Sequence, residues 1–107
     1  MTNTKTLTYT RPHIGEVGDY ALEWLKFMER EHPRQLQEMF ADGSLFSVAQ
    51  SVDDSAWEYR KLLEEQYKKA VPSPNTYLEN VKWHRTRNFY VDIIVMRERV
   101  LAPYTTP

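Results

Sequence analysis

Cysteine is absent from the 107 residues, which removes a disulfide framework, a thiolate metal site and a cysteine nucleophile together. Glycine is scarce. The three present, Gly15, Gly18 and Gly43, are too few to write either a dinucleotide-binding fingerprint or a phosphate-cradling loop. An excess of one charge is missing as well: 14 Lys plus Arg stand against 15 Asp plus Glu, a formal charge of -1, so no whole-molecule field draws the chain to DNA or to anionic lipid. Any contact with nucleic acid must be local. No apolar run approaches membrane-spanning length, and the first ten residues are polar and lack the apolar centre of a secretion signal. A soluble, cytoplasmic protein without a membrane partner is the expectation.

The chemistry-bearing residues are thinly spread. His13, His32 and His84 are the only histidines, and no two stand three or four residues apart, the spacing that brings ligands together on a helix. His32 with Glu29 or Glu31 falls on a charged helix end, where solvation accounts for it. No strained, glycine-flanked turn presents a Ser or Thr nucleophile. The adjacent acids Asp53 and Asp54, and Glu64 and Glu65, diverge by about 100° on a helix and do not share a site. Capping and a solvated face explain them better. The residues therefore point to a protein that binds and does not catalyse, with no metal and no cofactor.

Hydrophobic residues reach 41% and aromatics 13%, including three Trp and seven Tyr, ample for a packed core at a length typical of one domain. We expect a single domain with an extended arm at 1–13, a helical body at 14–101 and a tail at 102–107. Residues 6–11 alternate, with Leu7 and Tyr9 on one side, as a short strand or arm does, and Pro12 ends it. Such an arm must lie along the helical body, pair in a hairpin or reach a partner chain.

The body reads as helices. Over 19–31, Tyr20, Ala21, Trp24, Leu25 and Met28 recur at three and four, and Gly18 and Asp19 can start the segment. Pro33 bars helical geometry at His32 and suits the first turn of a second helix that runs to about Asp42, burying Leu36, Met39 and Phe40, with Gly43 as a left-handed cap. Beyond it, Leu45, Val48, Val52, Tyr59, Leu63, Tyr67 and Ala70 form a stripe that fits one long helix, or two if Asp53 or Asp54 breaks and recaps it. Pro72, Ser73 and Pro74 make a stiff turn. Thr76 with Glu79 is a capping box for the last helix, Ser73 a competing cap, and the expected seam is Tyr77, Val81, His84, Asn88, Val91 and Val95, with Leu78, Ile94 and Leu101 beside it. The fold class is mainly α: a compact bundle of four to five helices with a short extended N-terminal arm or strand.

One local pattern suggests function. Lys82, Trp83, His84, Arg85, Arg87, Phe89 and Tyr90 interleave basic and aromatic side chains, which can neutralise phosphates and stack on bases, or anchor a protein interface. A bland alternative has equal weight: a core seam through Val81, His84 and Asn88 with Lys82, Arg85 and Arg87 merely solvated. The expected partner-binding residues are Lys82, Trp83, Arg85, Arg87 and Tyr90, joined by Tyr9 and Arg11 of the arm. Glu64 with Lys68 and Glu65 with Lys69 are stabilising pairs at four-residue spacing, so the third helical segment looks structural.

In order along the chain, Leu7-Thr8-Tyr9-Thr10-Arg11, Ile14-Gly15 with Gly18, then Leu25, Met28, Glu31, His32, Pro33 and Leu36 form one series of features. Gly43-Ser44-Leu45, Val52-Asp53 with Ala56 and Glu58, and Val91-Asp92-Ile93-Ile94 with Glu98 continue it. Together they resemble the TnpV family, small proteins encoded within bacterial conjugative transposons. The resemblance covers most of the chain, departs from the family's pattern between Tyr77 and Trp83, and implies a mobile-element accessory protein with no catalytic residues to carry over. The expected partner is a protein or a protein–nucleic-acid complex. One alternative is an anti-CRISPR inhibitor that blocks a Cas nuclease's guide or target-DNA channel; another is a small regulator that binds DNA directly. The apolar seam of the last helix can close either a monomer or a dimer, which leaves the oligomeric state open.

Overall fold

The computed structural model describes residues 8–13 and 15–101. Thr6, Leu7, Ile14 and the expected tail at 102–107 lie outside them. The described chain contains four α-helices, α1 (Asp19–Glu31), α2 (Pro33–Asp42), α3 (Leu45–Ala70) and α4 (Tyr77–Val95), followed by a π-helical segment (Met96–Leu101). No strand occurs among the described residues. The mainly helical class expected from periodicity is what the chain adopts. It divides into two compact units, Met1–Asp54 and Ser55–Pro107, with the division falling inside α3.

In the first unit, α1 buries the expected face of Tyr20, Ala21, Trp24, Leu25 and Met28, and Phe27 with it. The helix stops where proline dictates. His32 leaves helical geometry at φ −139° and ψ 55°, its N–H closes the last turn on Met28 O at 2.9 Å, and Pro33 occupies the first turn of α2. α2 buries Leu36 fully, whereas Met39 and Phe40, expected in the core, are half-buried. It ends at Gly43, whose φ of 84° is the left-handed conformation that only glycine adopts freely. There Ser44 N–H reaches Met39 O at 3.1 Å and Gly43 N–H reaches Phe40 O at 3.3 Å, the paired bonds of a Schellman cap. Asp42 Oδ1 accepts a further bond from Ser44 N–H at 2.9 Å, and the Ser44 hydroxyl, followed by this N–H, holds the Asp42 carboxyl below its usual range.

α3 does not break at Asp53 or Asp54. Asp53 does cap a helix, but α1 and not a second piece of its own: Oδ1 accepts the N–H of Tyr20 and of Ala21, each at 3.0 Å, and the residue is only 7% exposed. Two of the orphan donors at the start of α1 are thereby satisfied from α3. Gly18, the N-cap, has an ordinary φ of −66°, so its lack of a side chain serves space and not conformation. A Cβ there would overlap the Asp53 carboxylate.

The arm at residues 8–13 is neither helix nor strand, and of the three dispositions open to it the first is found. Tyr9 N–H donates to Gln37 Oε1 at 2.8 Å, its hydroxyl donates to Glu29 Oε2 at 2.8 Å, and its ring meets Phe40 edge-on at 5.6 Å.

In the second unit, residues 55–70 of α3 accompany α4 and the π-helical segment, and the buried residues are Ala56, Trp83, Val91, Val95 and Val100. The seam expected on α4 is corrected over its first half. Tyr77, Val81, His84 and Asn88 are exposed, and the line that turns inward is Trp83, Arg87 and Val91, four residues apart, continuing to Val95. The reason is the indole: it offers the largest apolar area on the helix, and its Nε1 finds an acceptor in Val71 O at 2.7 Å. Thr76 is the N-cap of α4, as expected, though its hydroxyl donates to Glu79 Oε1 at 2.7 Å where a capping box would bond backbone N–H groups.

Candidate binding surface

α4 is placed by contacts at both of its ends. At the N-terminal end, Trp83 pins the turn after α3 through Val71 O, Asn80 Nδ2 donates to Pro74 O at 3.2 Å, and the Tyr67 ring lies 5.6 Å from the indole. Towards the C-terminal end, Arg60 of α3 bonds Glu64 at 2.9 Å on its own helix and reaches Asp92 at 3.3 Å and Asn88 at 3.4 Å on α4. Beyond α4, Tyr59 donates to Glu98 Oε1 at 2.8 Å, which raises the Tyr59 phenol above its usual range, and the Arg99 guanidinium stacks 4.1 Å from the Tyr59 ring. These ties fix which side of α4 faces inward. They also fix which side faces out.

On the outward side stand Leu78, Lys82, Arg85, Phe89 and Ile93, at steps of four, three, four and four, which places them within about 80° of arc along about 22 Å of helix. All five are exposed. Leu78 is 72%, Phe89 70% and Ile93 47% accessible, values normally met by isolated surface hydrophobes and not by three on one helical stripe. The bases of α4 divide accordingly. Arg87 is half-buried, lying 5.3 Å from the Trp83 ring centre and donating to Asn88 Oδ1 at 3.0 Å, and His84 packs edge-on against Trp83. Lys82 and Arg85 have no acid partner among the described residues. The acids flanking the stripe are engaged, Glu79 by Thr76 and Asp92 by Arg60.

The expected site residues therefore separate. Lys82 and Arg85 lie on the stripe. Trp83 is only 8% exposed and supports the helix from behind, so it is not a surface anchor, and Arg87 covers it. Tyr90 is exposed but turned towards Tyr67, with ring centres 5.8 Å apart, where Leu63, Ala70 and Val71 line a shallow groove. Tyr9 and Arg11 belong to the first unit and converge on Glu29: Arg11 Nε donates to its carboxylate at 3.0 Å and Tyr9 OH at 2.8 Å. The Arg11 guanidinium holds the Glu29 carboxyl below its usual range, while burial, followed by the bond to Glu29, pushes the Tyr9 phenol well above its own. Both arm residues are thus occupied in fastening the arm to the body.

Leu78, Phe89 and Ile93 are not among the expected partner-binding residues, although Phe89 stands in the basic-aromatic pattern. The sequence pattern assigned Leu78 to the flank of a core seam, and only the rotation of α4 about Trp83 puts it outside. Among the described residues no group of three or more His, Asp or Glu side chains is gathered as a metal would require, and no helix is long and apolar enough to cross a membrane. Comparison with family models, with curated proteins and with solved structures gave no match.

Proposed function

We propose that this protein is a non-enzymatic binding module that engages a macromolecular partner through the outward stripe of α4, as an accessory protein of a mobile element. The observation that carries the reading is the combination on one helical face of three exposed large apolar side chains, Leu78, Phe89 and Ile93, with two cations, Lys82 and Arg85, that no acid of the described chain neutralises. Burying one such apolar side chain gains about 1.5–3 kcal/mol, so this face has much to gain from a partner, and nothing among the described residues of its own unit covers it. The ordered resemblance to the TnpV family supplies the mobile-element setting. An inhibitor that binds a Cas nuclease is the alternative to this reading, and co-purification with loss of cleavage is its signature.

The test compares the intact chain with the double variant Lys82→Glu and Arg85→Glu, each used to retain partners from the producing cells. Both side chains are solvated, so the melting temperature should hold while a partner kept by the parent is lost by the variant. Equal retention by the two would remove α4 as the binding surface. If the retained species is DNA whose binding falls steeply as salt rises, the partner is nucleic acid and the module is a DNA-binding regulator.

A further inference from the structure

The stripe has a chemistry of its own that narrows the partner. Along its length it reads apolar, basic, basic, apolar, apolar, through Leu78, Lys82, Arg85, Phe89 and Ile93. The cations occupy the middle turn between the apolar ends, and neither is ion-paired to an acid of the described residues, so the stripe presents unpaired positive charge at its centre. We infer that this stripe seats an acidic amphipathic helix of a partner protein, the partner's carboxylates lying over Lys82 and Arg85 and its apolar side chains over Leu78, Phe89 and Ile93. The inference rests on the reading of α4 as the binding surface and adds the partner's class.

Other occupants fit the pattern less well. Nucleic acid would use the two cations, but Leu78 and Ile93 are aliphatic and offer no ring for a base to stack on, leaving Phe89 as the one aromatic of the stripe. An anionic lipid surface is drawn by clusters of about four to eight basic residues, and the stripe has two. A second copy of this chain would bring the middle turns together in a two-fold pairing, setting Lys82 and Arg85 of each copy against the same cations of the other. A helix with carboxylates between apolar positions satisfies every feature at once: charge complementarity steers and registers it, and apolar burial holds it.

The intact chain is titrated by fluorescence anisotropy with two labelled helical peptides of about three heptads, alike in their leucine face and differing only in flanking Glu or flanking Lys. A single-stranded DNA of about 20 nucleotides and phosphatidylserine vesicles form parallel arms. The expected result is that the Glu peptide binds at least about tenfold tighter than the Lys peptide, and that Phe89→Ala weakens it about tenfold or more. In the Lys82→Glu and Arg85→Glu variant, with unchanged circular dichroism, the preference should reverse towards the Lys peptide, an outcome that loss of folding cannot imitate. Equal affinity for the two peptides, or a preference that the charge reversal leaves in place, overturns the inference. So does tighter binding of the DNA or the vesicles, or light scattering that shows a dimer closed by this face. If DNA or vesicles bind and the charge reversal abolishes it, the acidic helix is wrong and α4 stands as the surface. If neither these probes nor partner retention from cells depends on the stripe, both readings fall.

Discussion

Gly18 and Asp53 make an unusual quantitative prediction, because the structural argument gives a sign opposite to the one backbone conformation alone would give. At φ −66° and ψ 163°, position 18 suits any L-residue, and Gly18→Ala should on that ground stabilise the protein by about 0.4–1 kcal/mol through a less flexible unfolded chain. The Asp53 carboxylate occupies the space a methyl group would need, so the substitution should instead cost about 1–3 kcal/mol as the carboxylate is driven off the amides of Tyr20 and Ala21. Asp53→Ala alone leaves those two N–H groups without their acceptor and should cost about 2–4 kcal/mol. The two substitutions should not add. With the carboxylate gone, the Gly18→Ala methyl meets no obstruction, and its effect should return to neutral or favourable, a coupling of about 1–3 kcal/mol in the double-mutant cycle. Urea unfolding followed by circular dichroism gives the free energies, and amide hydrogen exchange at Tyr20 and Ala21 localises the change, both protons exchanging faster in either single variant. A Gly18→Ala penalty of the same size with and without Asp53 would refute the capping argument.

Three further outcomes follow from the same geometry. Glu29→Gln should free the arm, read as loss of the Tyr9 contacts with Glu29 and Phe40 in nuclear Overhauser spectra. Because the Glu29 carboxyl is held below its usual range in the folded state, the arm's contribution is present above that range and is lost as acid titration passes down through the lowered value. The Tyr9 phenol, shifted upward, sets the other limit: its contribution is whole below the usual phenol range and is lost as pH climbs through the raised value. Gly43→Ala forces a side chain into a φ of 84° and should cost about 1 kcal/mol by urea unfolding, with the loss traced to the end of α2. Trp83→Phe keeps much of the apolar burial but leaves Val71 O without the indole donor, for a cost of about 1–2 kcal/mol and faster amide exchange at Asn80, beside the turn that the indole pins.

How much of this was legible in the sequence depends on which side of each helix carries a unique signal. α1 was read correctly because its apolar residues form one stripe against a polar remainder, and the ends of α1 and α2 because Pro33 and Gly43 act through their own backbones. α4 was not, since apolar residues surround it: Val81, Val91 and Val95 define one line, Leu78, Phe89 and Ile93 another, and periodicity alone does not choose between them. The choice is made by Trp83, whose indole N–H needs the Val71 carbonyl, a contact that exists only once the turn after α3 is formed. The role of Asp53 was illegible for a similar reason. A capping residue is normally sought beside the helix it caps, and this one arrives from another helix more than 30 residues later. The cations of the proposed surface, Lys82 and Arg85, and the ring of Phe89 stand in the basic-aromatic pattern of the sequence, whereas the expected seam places Leu78 beside the core and hides its exposure.

The claim on which the account turns is that the outward stripe of α4 is covered when the protein is at work. Oxidative footprinting of Leu78, Phe89 and Ile93, carried out on the purified chain and again inside the producing cells, tests it without knowledge of the partner. The account predicts that all three are oxidised readily in the purified protein and are protected in the cell, while Leu62, exposed on α3, is oxidised alike in both. Equal oxidation of Leu78, Phe89 and Ile93 in the two settings would contradict it.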